Sequence, residues 1–495
     1  MIRTFTCLLL SLTLAVSPLS AYAQASNIDL PQMGEPADNS MSPAQEKVLG
    51  KQVMAELYRY DYIVDDPELE DYINSIGYKL AAHSATPPPA LTFFVVADDR
   101  INAFALPGGF IGFNAGTLLA AANESEIAGV LGHEMAHVTQ RHIARAEEDT
   151  KVANIVTWAA VLAAILAGSV ANPDLVIGAL GAGQAINQQR QVNYTRAHEQ
   201  EADRIGIQTM AASGFDPNGM ASFFGRLEQQ TRLYGSRVPE LLLTHPLNTS
   251  RIAEARARAE ALPKVSYKDS ADFSLIQART RVFAADLPSD AVNYFSGELT
   301  AGHDTPANHY GYSMALSELG RNEEALVALR PALEALPRQP NVNLLKGHIE
   351  QALHQQDKAL TTFSRTLTLY PRYTPAIFAY ADALITAGKN EEARQLLISR
   401  EQALGTRMQT YNLLSQAARE SGNFAEAAYQ AACYQFLRGD AGNAMAQLDA
   451  GLRLANLNSQ DRARLIAKRQ EVRNSLPNDW RASERHLNAW GATRS

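Results

Sequence analysis

Apolar positions recur with helical spacing through most of the chain, and extended apolar runs occupy one short region. Two helices are predicted at 42–59 and 66–83, and in the second an apolar residue returns every three or four positions. Runs rich in Phe, Val and Ile follow at 91–96 and 110–114 and predict strands. The pattern therefore indicates an α+β fold that is mostly α, with a small edge β-sheet.

The next predicted helix carries the first candidate chemistry. Asn123 stands where a helix N-cap is expected, and Glu126 follows three residues later, as in a capping box. The apolar pattern of this helix encloses H-E-x-x-H, as His133, Glu134 and His137. Polar side chains inside an apolar helix are unfavourable unless they have partners, and a metal ion is one such partner.

His133 and His137 are four residues apart, so they share one helix face and both imidazoles can reach one ion. A catalytic Zn²⁺ takes three protein ligands, keeps one open position, and lowers the pKa of its water to about 7. Glu134, beside the first histidine, can accept a proton from that water. The motif predicts one zinc ion per chain, although the same five-residue pattern also arises by chance on ordinary amphipathic helices.

The third ligand is expected on a polar helix predicted at 184–212, where Glu199 and Glu201 are both chemically suitable. H-E-x-x-H followed downstream by E-x-x-x-D resembles the CAAX-prenyl-protease and HtpX type of zinc metallopeptidase. The resemblance implies a gluzincin-like fold with Glu199 as ligand and Asp203, one turn further on, accepting the free N–H of an imidazole. Glu201 ranks second, because Ile205 stands four residues after it.

The segment N-A-x-x-L-P-G-G, from Asn102 to Pro107, Gly108 and Gly109, also resembles this peptidase type. The resemblance implies an edge strand that binds substrate backbone by strand addition. Considered alone, the segment is a plain hairpin with Pro107 at an edge or in a turn.

His245 and Arg251 form an H-P-x-x-x-x-R segment that resembles the part of these peptidases facing the zinc. The resemblance gives His245 two possible roles, a fourth, inhibitory ligand or a group that stabilises the oxyanion of the transition state. The residue types alone also fit a histidine in a turn and a solvated arginine. His142 and His198 are expected to be solvated or to lie behind the ligands.

The C-terminal half has a period of 34 residues, shown by Ala325, Ala359, Ala393 and Ala427. This is the tetratricopeptide period, in which small residues let the two helices of a pair pack closely. Stacked pairs form an α-solenoid whose concave surface binds peptides or partner proteins. The alternative is a purely structural cap on the peptidase.

The N-terminus and one internal stretch are apolar enough to suggest contact with a membrane. Residues 1–23 have the features of a secretory signal peptide, with Arg3 before an apolar run and a small-x-small cleavage site ending at Ala23. The stretch 152–186 is predicted to form an apolar helical hairpin near the active site, with peripheral contact to a membrane or contact with an unfolded client; the alternative is a spanning helix. The only cysteine after the signal peptide is Cys433, so no internal disulfide can form.

Together these features predict a signal peptide (1–23), a flexible leader (24–40), a zinc metallopeptidase domain (41–262), a repeat domain (271–480) and a tail (481–495). The segment 263–270, between the two domains, is predicted to be a linker. Their order resembles periplasmic zinc peptidases that act in quality control and assembly of outer-membrane β-barrel proteins. The resemblance implies a periplasmic endopeptidase with chaperone-like activity, whose repeats bind misfolded or stalled β-barrel proteins and their assembly machinery. Two alternatives remain, a chaperone or adaptor with latent peptidase activity and an integral membrane peptidase of the HtpX kind. The net charge of −8 and the lack of a basic patch argue against nucleic acid as a partner.

Overall fold

The computed structural model of the protein describes residues 41–145, 185–234, 239, 241–242 and 245–476. The predicted signal peptide, leader and tail lie outside these residues, as does nearly all of the apolar stretch 152–186. Within the described ranges, no helix combines the length and the hydropathy that a membrane span requires.

Two helices and a three-stranded sheet begin the described part of the chain. They are α1 (Pro43–Arg59), α2 (Pro67–Ala81), β1 (Thr92–Val96), β2 (Ala103–Leu106) and β3 (Phe110–Asn114). The central strand, β3, runs parallel to β1 and antiparallel to β2. The two apolar runs are therefore strands as predicted, and β1 extends the β2–β3 hairpin into a sheet with β2 at one edge.

Five further helices follow within the described residues of the peptidase half: α3 (Ala115–Ala120), α4 (Glu124–Thr139), α5 (Ala185–Ala212), α6 (Asn218–Tyr234) and α7 (Thr249–Glu260). Helix α4 is almost wholly buried and packs against α5 and α6. Gly132 on α4 faces Gly206 on α5, and a Cβ at Gly206 would lie only 3.1 Å from the Gly132 carbonyl carbon. Because the two glycines let the backbones approach closely, polar side chains of α4 and α5 can meet one another.

The start of α4 is fixed by the residues that the sequence singled out. Asn123 accepts a hydrogen bond from the Glu126 amide (3.0 Å), as an N-cap does. The Glu126 carboxylate reaches back to the Ala122 amide (2.7 Å), one residue before the position that a strict capping box would use.

The repeat half is a series of helices that pack in consecutive pairs. They are α8 (Ala271–Phe283), α9 (Pro288–Thr300), α10 (Pro306–Glu318), α11 (Asn322–Ala328), α12 (Arg330–Ala335), α13 (Pro340–Ala352), α14 (Gln356–Leu369), α15 (Thr374–Thr386), α16 (Asn390–Ser399), α17 (Glu401–Leu404), α18 (Met408–Glu420), α19 (Phe424–Leu437), α20 (Ala441–Leu452) and α21 (Ser459–Asn474). The four alanines of the 34-residue period are all buried. A Cβ at Gly347 would fall 2.4 Å from the Phe363 ring, so this pair of helices requires a glycine there. The α-solenoid that the period predicted is confirmed.

The repeats pack directly against the N-terminal helices through polar contacts. The pairs are Arg279 with Asp66 (2.5 Å) and Glu68 (2.9 Å), Asn341 with Glu68 (2.6 Å), Arg407 with Glu70 (3.5 Å), and Arg438 with Asp61 and the Tyr58 carbonyl (3.2 Å each). Residues from four different parts of the solenoid therefore contact one short stretch, 58–70.

The segment 263–270, predicted as a linker, has no regular secondary structure but is anchored by hydrogen bonds. Glu124, at the start of α4, is buried and accepts hydrogen bonds from the Tyr267 hydroxyl (2.6 Å), the Ser270 amide (2.8 Å) and the Ser270 hydroxyl (2.5 Å). The Tyr72 hydroxyl of α2 donates to the same carboxylate (3.1 Å). The segment thus ties the repeats to the helix that carries H-E-x-x-H.

Candidate metal centre

Helix α4 presents the three residues of the H-E-x-x-H motif to one point. The Nε2 atoms of His133 and His137 lie 3.0 Å apart, as the four-residue spacing on a helix predicts. His133 and Glu134 are almost completely buried, and His137 is largely so. The motif therefore forms a cluster inside the protein and is not a chance pattern on a solvated helix face.

Helix α5 adds a carboxylate to the two imidazoles. The Glu199 carboxylate oxygens lie 3.4 Å from His133 Nε2 and 3.4 Å from His137 Nε2. Glu201, the rival candidate, points elsewhere: its carboxylate contacts His142 (3.2 Å) and Arg145 (3.2 Å). The geometry therefore favours Glu199 as the third ligand.

His245 is the fourth member of the cluster. Its Nδ1 lies 3.0 Å from Glu199 Oε1 and 3.3 Å from His133 Nε2, and its Nε2 lies 3.5 Å from Glu134 Oε1. One potential ligand atom from each of His133, His137, Glu199 and His245 lies within 4.8 Å of all the others. The position of His245 is compatible with both roles that the resemblance implies.

The residues of this cluster fit a zinc ion. Three imidazoles and a carboxylate are a donor set that zinc prefers. Both carboxylate oxygens of Glu134 are buried and have no hydrogen-bond partner among the described residues. Because a buried carboxylate without a hydrogen bond is unfavourable, its position beside the cluster indicates a site for a polar ligand.

Asp203 and Arg251 hold the cluster from behind. The Asp203 carboxylate lies 2.9 Å from His133 Nδ1 and accepts two hydrogen bonds from Arg251, at 2.8 Å each. The same guanidinium lies 2.9 Å from Glu199 and donates to the Pro246 carbonyl (2.9 Å). Arg251 is therefore buried and paired with two carboxylates, so its interpretation as a solvated charge is wrong.

The carboxylates control the charge of the cluster. Burial lowers the pKa of His133, but Asp203 and Glu199 outweigh this effect and raise that pKa to about 10. Burial raises the pKa of Glu199, yet His245 and His133 hold it well below its usual range. Burial keeps the pKa of His137 well below its usual value. Without metal, the cluster therefore carries an ionised glutamate next to protonated and neutral imidazoles.

His142 and His198 lie behind the cluster and are not solvated. Both are buried, and their rings stack with centroids 4.1 Å apart and an interplanar angle of 5°. His142 Nδ1 lies 2.9 Å from His137 Nδ1. Burial and the neighbouring His198 lower the pKa of His142 to about 4. The sequence offered a weak signal for this contact, since His142 follows the second histidine of the motif by five residues.

The four residues predicted for the substrate-binding edge strand lie on either side of that strand and not within it. Strand β2 is the edge strand, while Asn102 precedes it and the Pro107–Gly109 turn follows it. Asn102 is buried and its backbone exchanges hydrogen bonds with Thr117 (2.7 and 2.8 Å). Gly108 has a positive φ of 78° and a Cβ there would lie 2.6 Å from Lys47 Cα, so the turn is pressed against α1. These contacts give the motif a structural role, and strand addition at β2 stays a prediction.

A small apolar cleft opens beside the cluster. It is lined by Val130, Phe224, Leu241, Leu242 and Leu247, together with His133, Glu134 and His245. The Glu134 carboxylate therefore lies between the cluster and an apolar wall.

Comparison with known proteins places this geometry in context. The model of peptidase family M48 matches residues 67–259. A putative β-barrel assembly-enhancing protease of Vibrio cholerae is 37% identical over 66% of this chain and 68% of its own. The β-barrel assembly-enhancing protease of Escherichia coli is 35% identical over 74% of this chain and 75% of its own. The metalloprotease LoiP of Escherichia coli is 28% identical over 45% of this chain and 83% of its own.

Proposed function

We propose that this chain, which belongs to peptidase family M48 with the β-barrel assembly-enhancing proteases, is a periplasmic zinc endopeptidase. As a member of this family it is a metallopeptidase. Its proposed substrates are misfolded or stalled outer-membrane β-barrel proteins. The observation that carries the proposal is the buried Glu134 carboxylate, which accepts no hydrogen bond from the described residues and adjoins a cluster of zinc-ligand type. The names of its relatives support the client class, and the signal-peptide features of 1–23 support the periplasm.

His133 and His137 would bind the zinc ion through Nε2, and Glu199 through a carboxylate oxygen. When bound, zinc polarises a peptide carbonyl and lowers the pKa of water to about 7. Asp203 fixes His133 by accepting its Nδ1–H, and Arg251 holds both Asp203 and Glu199 in place. Arg251 is therefore a positioning residue in this proposal.

Glu134 is the proposed general base. Its carboxylate oxygens are buried and accept no hydrogen bond from the described residues, so they are free to take a proton from water. The apolar walls of the adjoining cleft exclude bulk water and strengthen electrostatic interactions with the carboxylate.

His245 is proposed to act as a gate that occupies the open ligand position in the resting enzyme. Its Nδ1 lies 3.0 Å from Glu199 Oε1 and 3.3 Å from His133 Nε2. A fourth protein ligand would displace the attacking water and keep the enzyme inactive until the segment that carries His245 moves. The competing role, stabilisation of the oxyanion, requires the same histidine to be essential for turnover.

The solenoid is proposed to recruit clients and the assembly machinery through its concave surface, and residues 41–262 to hold the chemistry. Peripheral membrane contact through 152–186 belongs to the same proposal. The packed segment 263–270 connects the two parts, so client binding on the repeats has a direct physical route to α4.

The proposal is tested by incubating the purified zinc-loaded chain with an unfolded outer-membrane β-barrel protein and following cleavage by gel and mass spectrometry. Glu134→Gln should fold and bind zinc but lose cleavage by roughly 10²–10⁴-fold, because the amide cannot accept a proton. Glu56→Gln, at an exposed position on α1, serves as the matched control and should cleave normally.

Cleavage by Glu134→Gln at the wild-type rate would contradict the assignment of the base. If neither protein cleaves but both suppress aggregation of the client equally, the chain is a chaperone with latent peptidase activity. Retention of the mature protein in membranes after carbonate extraction would favour the integral membrane alternative.

A further inference from the structure

We infer that His142 and Glu201 form a relay of hydrogen bonds that locks His137 in its metal-binding tautomer. The inference rests on the proposed zinc site and names positioning residues for it. Its starting point is a buried contact between two imidazoles, His142 Nδ1 and His137 Nδ1, at 2.9 Å.

The direction of each hydrogen bond follows from the position of the ligand atoms. His137 Nε2 converges with His133 Nε2 and Glu199, so this nitrogen must offer its lone pair. A neutral imidazole with a lone pair on Nε2 carries its proton on Nδ1. His137 therefore donates from Nδ1 to His142.

The same logic fixes the next link. His142 accepts at Nδ1, so its own proton lies on Nε2, which is 3.2 Å from Glu201 Oε2. Glu201 is an acceptor at this position, and Arg145 holds it there through a contact of 3.2 Å. The chain of donors thus runs from His137 through His142 to Glu201.

The arrangement gives each zinc-binding imidazole its own acceptor. His133 donates directly to Asp203, whereas His137 has no carboxylate beside its Nδ1 among the described residues and reaches Glu201 through His142. Partners of this kind typically change metal affinity by 10–100-fold. The stacked ring of His198 holds the plane of the His142 ring.

The test measures zinc affinity of the full-length protein by competition with a chromophoric chelator, independently of proteolysis. His142→Phe keeps a ring that can stack on His198 but removes the acceptor, and should weaken zinc binding by roughly 10–100-fold. His142→Asn places Oδ1 where Nδ1 was and should recover most of the loss. His83→Phe, which removes an exposed histidine of the peptidase half, should bind zinc like the wild type.

The thermal stability of the metal-free protein separates positioning from a structural role. Positioning predicts that His142→Asn binds zinc more tightly than His142→Phe, although it loses the ring stacked on His198 and melts at a lower temperature without zinc. Wild-type zinc affinity in His142→Phe, or equal weakening in both variants, would overturn the relay.

If His142→Phe fails to fold, Glu201 provides the second test. Glu201→Gln keeps an acceptor oxygen and should bind zinc nearly as tightly as the wild type, while Glu201→Leu should bind roughly tenfold more weakly. Equal affinities of these two variants would refute the relay. Because zinc binding is measured directly, a failure of the proposed proteolysis would leave this result unchanged.

Discussion

Replacing Glu124 by leucine should release the segment 263–270 from α4. The carboxylate accepts four hydrogen bonds, and three of them come from Tyr267 and Ser270 of this segment. Leucine accepts none, so four donors lose their acceptor at once, one of them buried and three partly buried. The hydroxyls of Tyr72, Tyr267 and Ser270 can turn towards other acceptors, but the Ser270 amide cannot.

The magnitude follows from these four bonds. A buried amide without an acceptor costs about 1–3 kcal/mol, so about 1 kcal/mol applies to the partly buried Ser270 amide, and each lost hydroxyl bond costs about 0.5–1.5 kcal/mol. The local free energy of opening should therefore fall by about 2.5–5.5 kcal/mol in Glu124→Leu. Since about 1.4 kcal/mol is tenfold, amide hydrogen exchange in this segment should accelerate at least about 50-fold, as measured by mass spectrometry of its peptides.

Two variants calibrate this result. Glu124→Gln keeps one oxygen for the Ser270 amide and Tyr267, while its NH₂ group can donate to the remaining hydroxyls. Ser270→Ala removes a single hydroxyl bond. Both should accelerate exchange less than about tenfold. Unchanged exchange in Glu124→Leu would refute the reasoning, because the segment would then be held by something other than this carboxylate.

The remaining predictions concern the metal, the gate and pH. Metal analysis of Glu199→Ala should show no bound zinc, whereas Glu201→Ala should keep one zinc per chain at saturating zinc; loss in the second variant alone would reverse the ligand assignment. His245→Ala should raise cleavage of bystander proteins and of itself while retaining zinc, and a fall of roughly 10²–10³-fold in turnover would instead support the oxyanion role. Burial raises the pKa of Glu68 from 4.5 to about 7, so the folded chain binds a proton that the unfolded chain releases. Protonation of Glu68 therefore contributes fully to stability below pH 4.5, and this contribution is lost as the pH rises through 7, which lowers the free energy of unfolding by up to about 3 kcal/mol. Urea unfolding at pH 5 and pH 8 should show this loss in the wild type and not in Glu68→Gln, and equal pH dependence would contradict it.

Local patterns predicted much of the architecture because they report on short-range physics. The four-residue spacing of His133 and His137 sets their relative position on any helix. Burial of the alanines at 325 and 359 follows from the 34-residue period, since each repeat packs against the next in the same way. Cap residues such as Asn123 act on the amides that follow them, and so are readable from the sequence.

Contacts between distant residues could not be predicted in the same way. Arg251 was compatible with a solvated charge until the fold placed Asp203 and Glu199 beside it. His142 offered a choice between solvent and a buried position, and only the packing of α4 against α5 decides it. The segment 263–270 was predicted to be a linker because its hydrogen-bond acceptor, Glu124, lies more than a hundred residues away and cannot be recognised from the local sequence.

The contact between Arg438 and the Tyr58 carbonyl joins positions 380 residues apart, and this separation has a kinetic consequence. The N-terminal helices are synthesised first, yet the stretch 58–70 cannot be covered until the last repeats exist. Non-local contacts of this kind form late, since the chain must close a long loop before they contribute. The groups that await the repeats are mainly carboxylates, including Asp61, Asp66 and Glu70, and an acidic surface resists aggregation while it is exposed. Because the repeats dock through ion pairs, the N-terminal part of the nascent chain exposes charged groups and stays soluble until the C-terminal half has been synthesised.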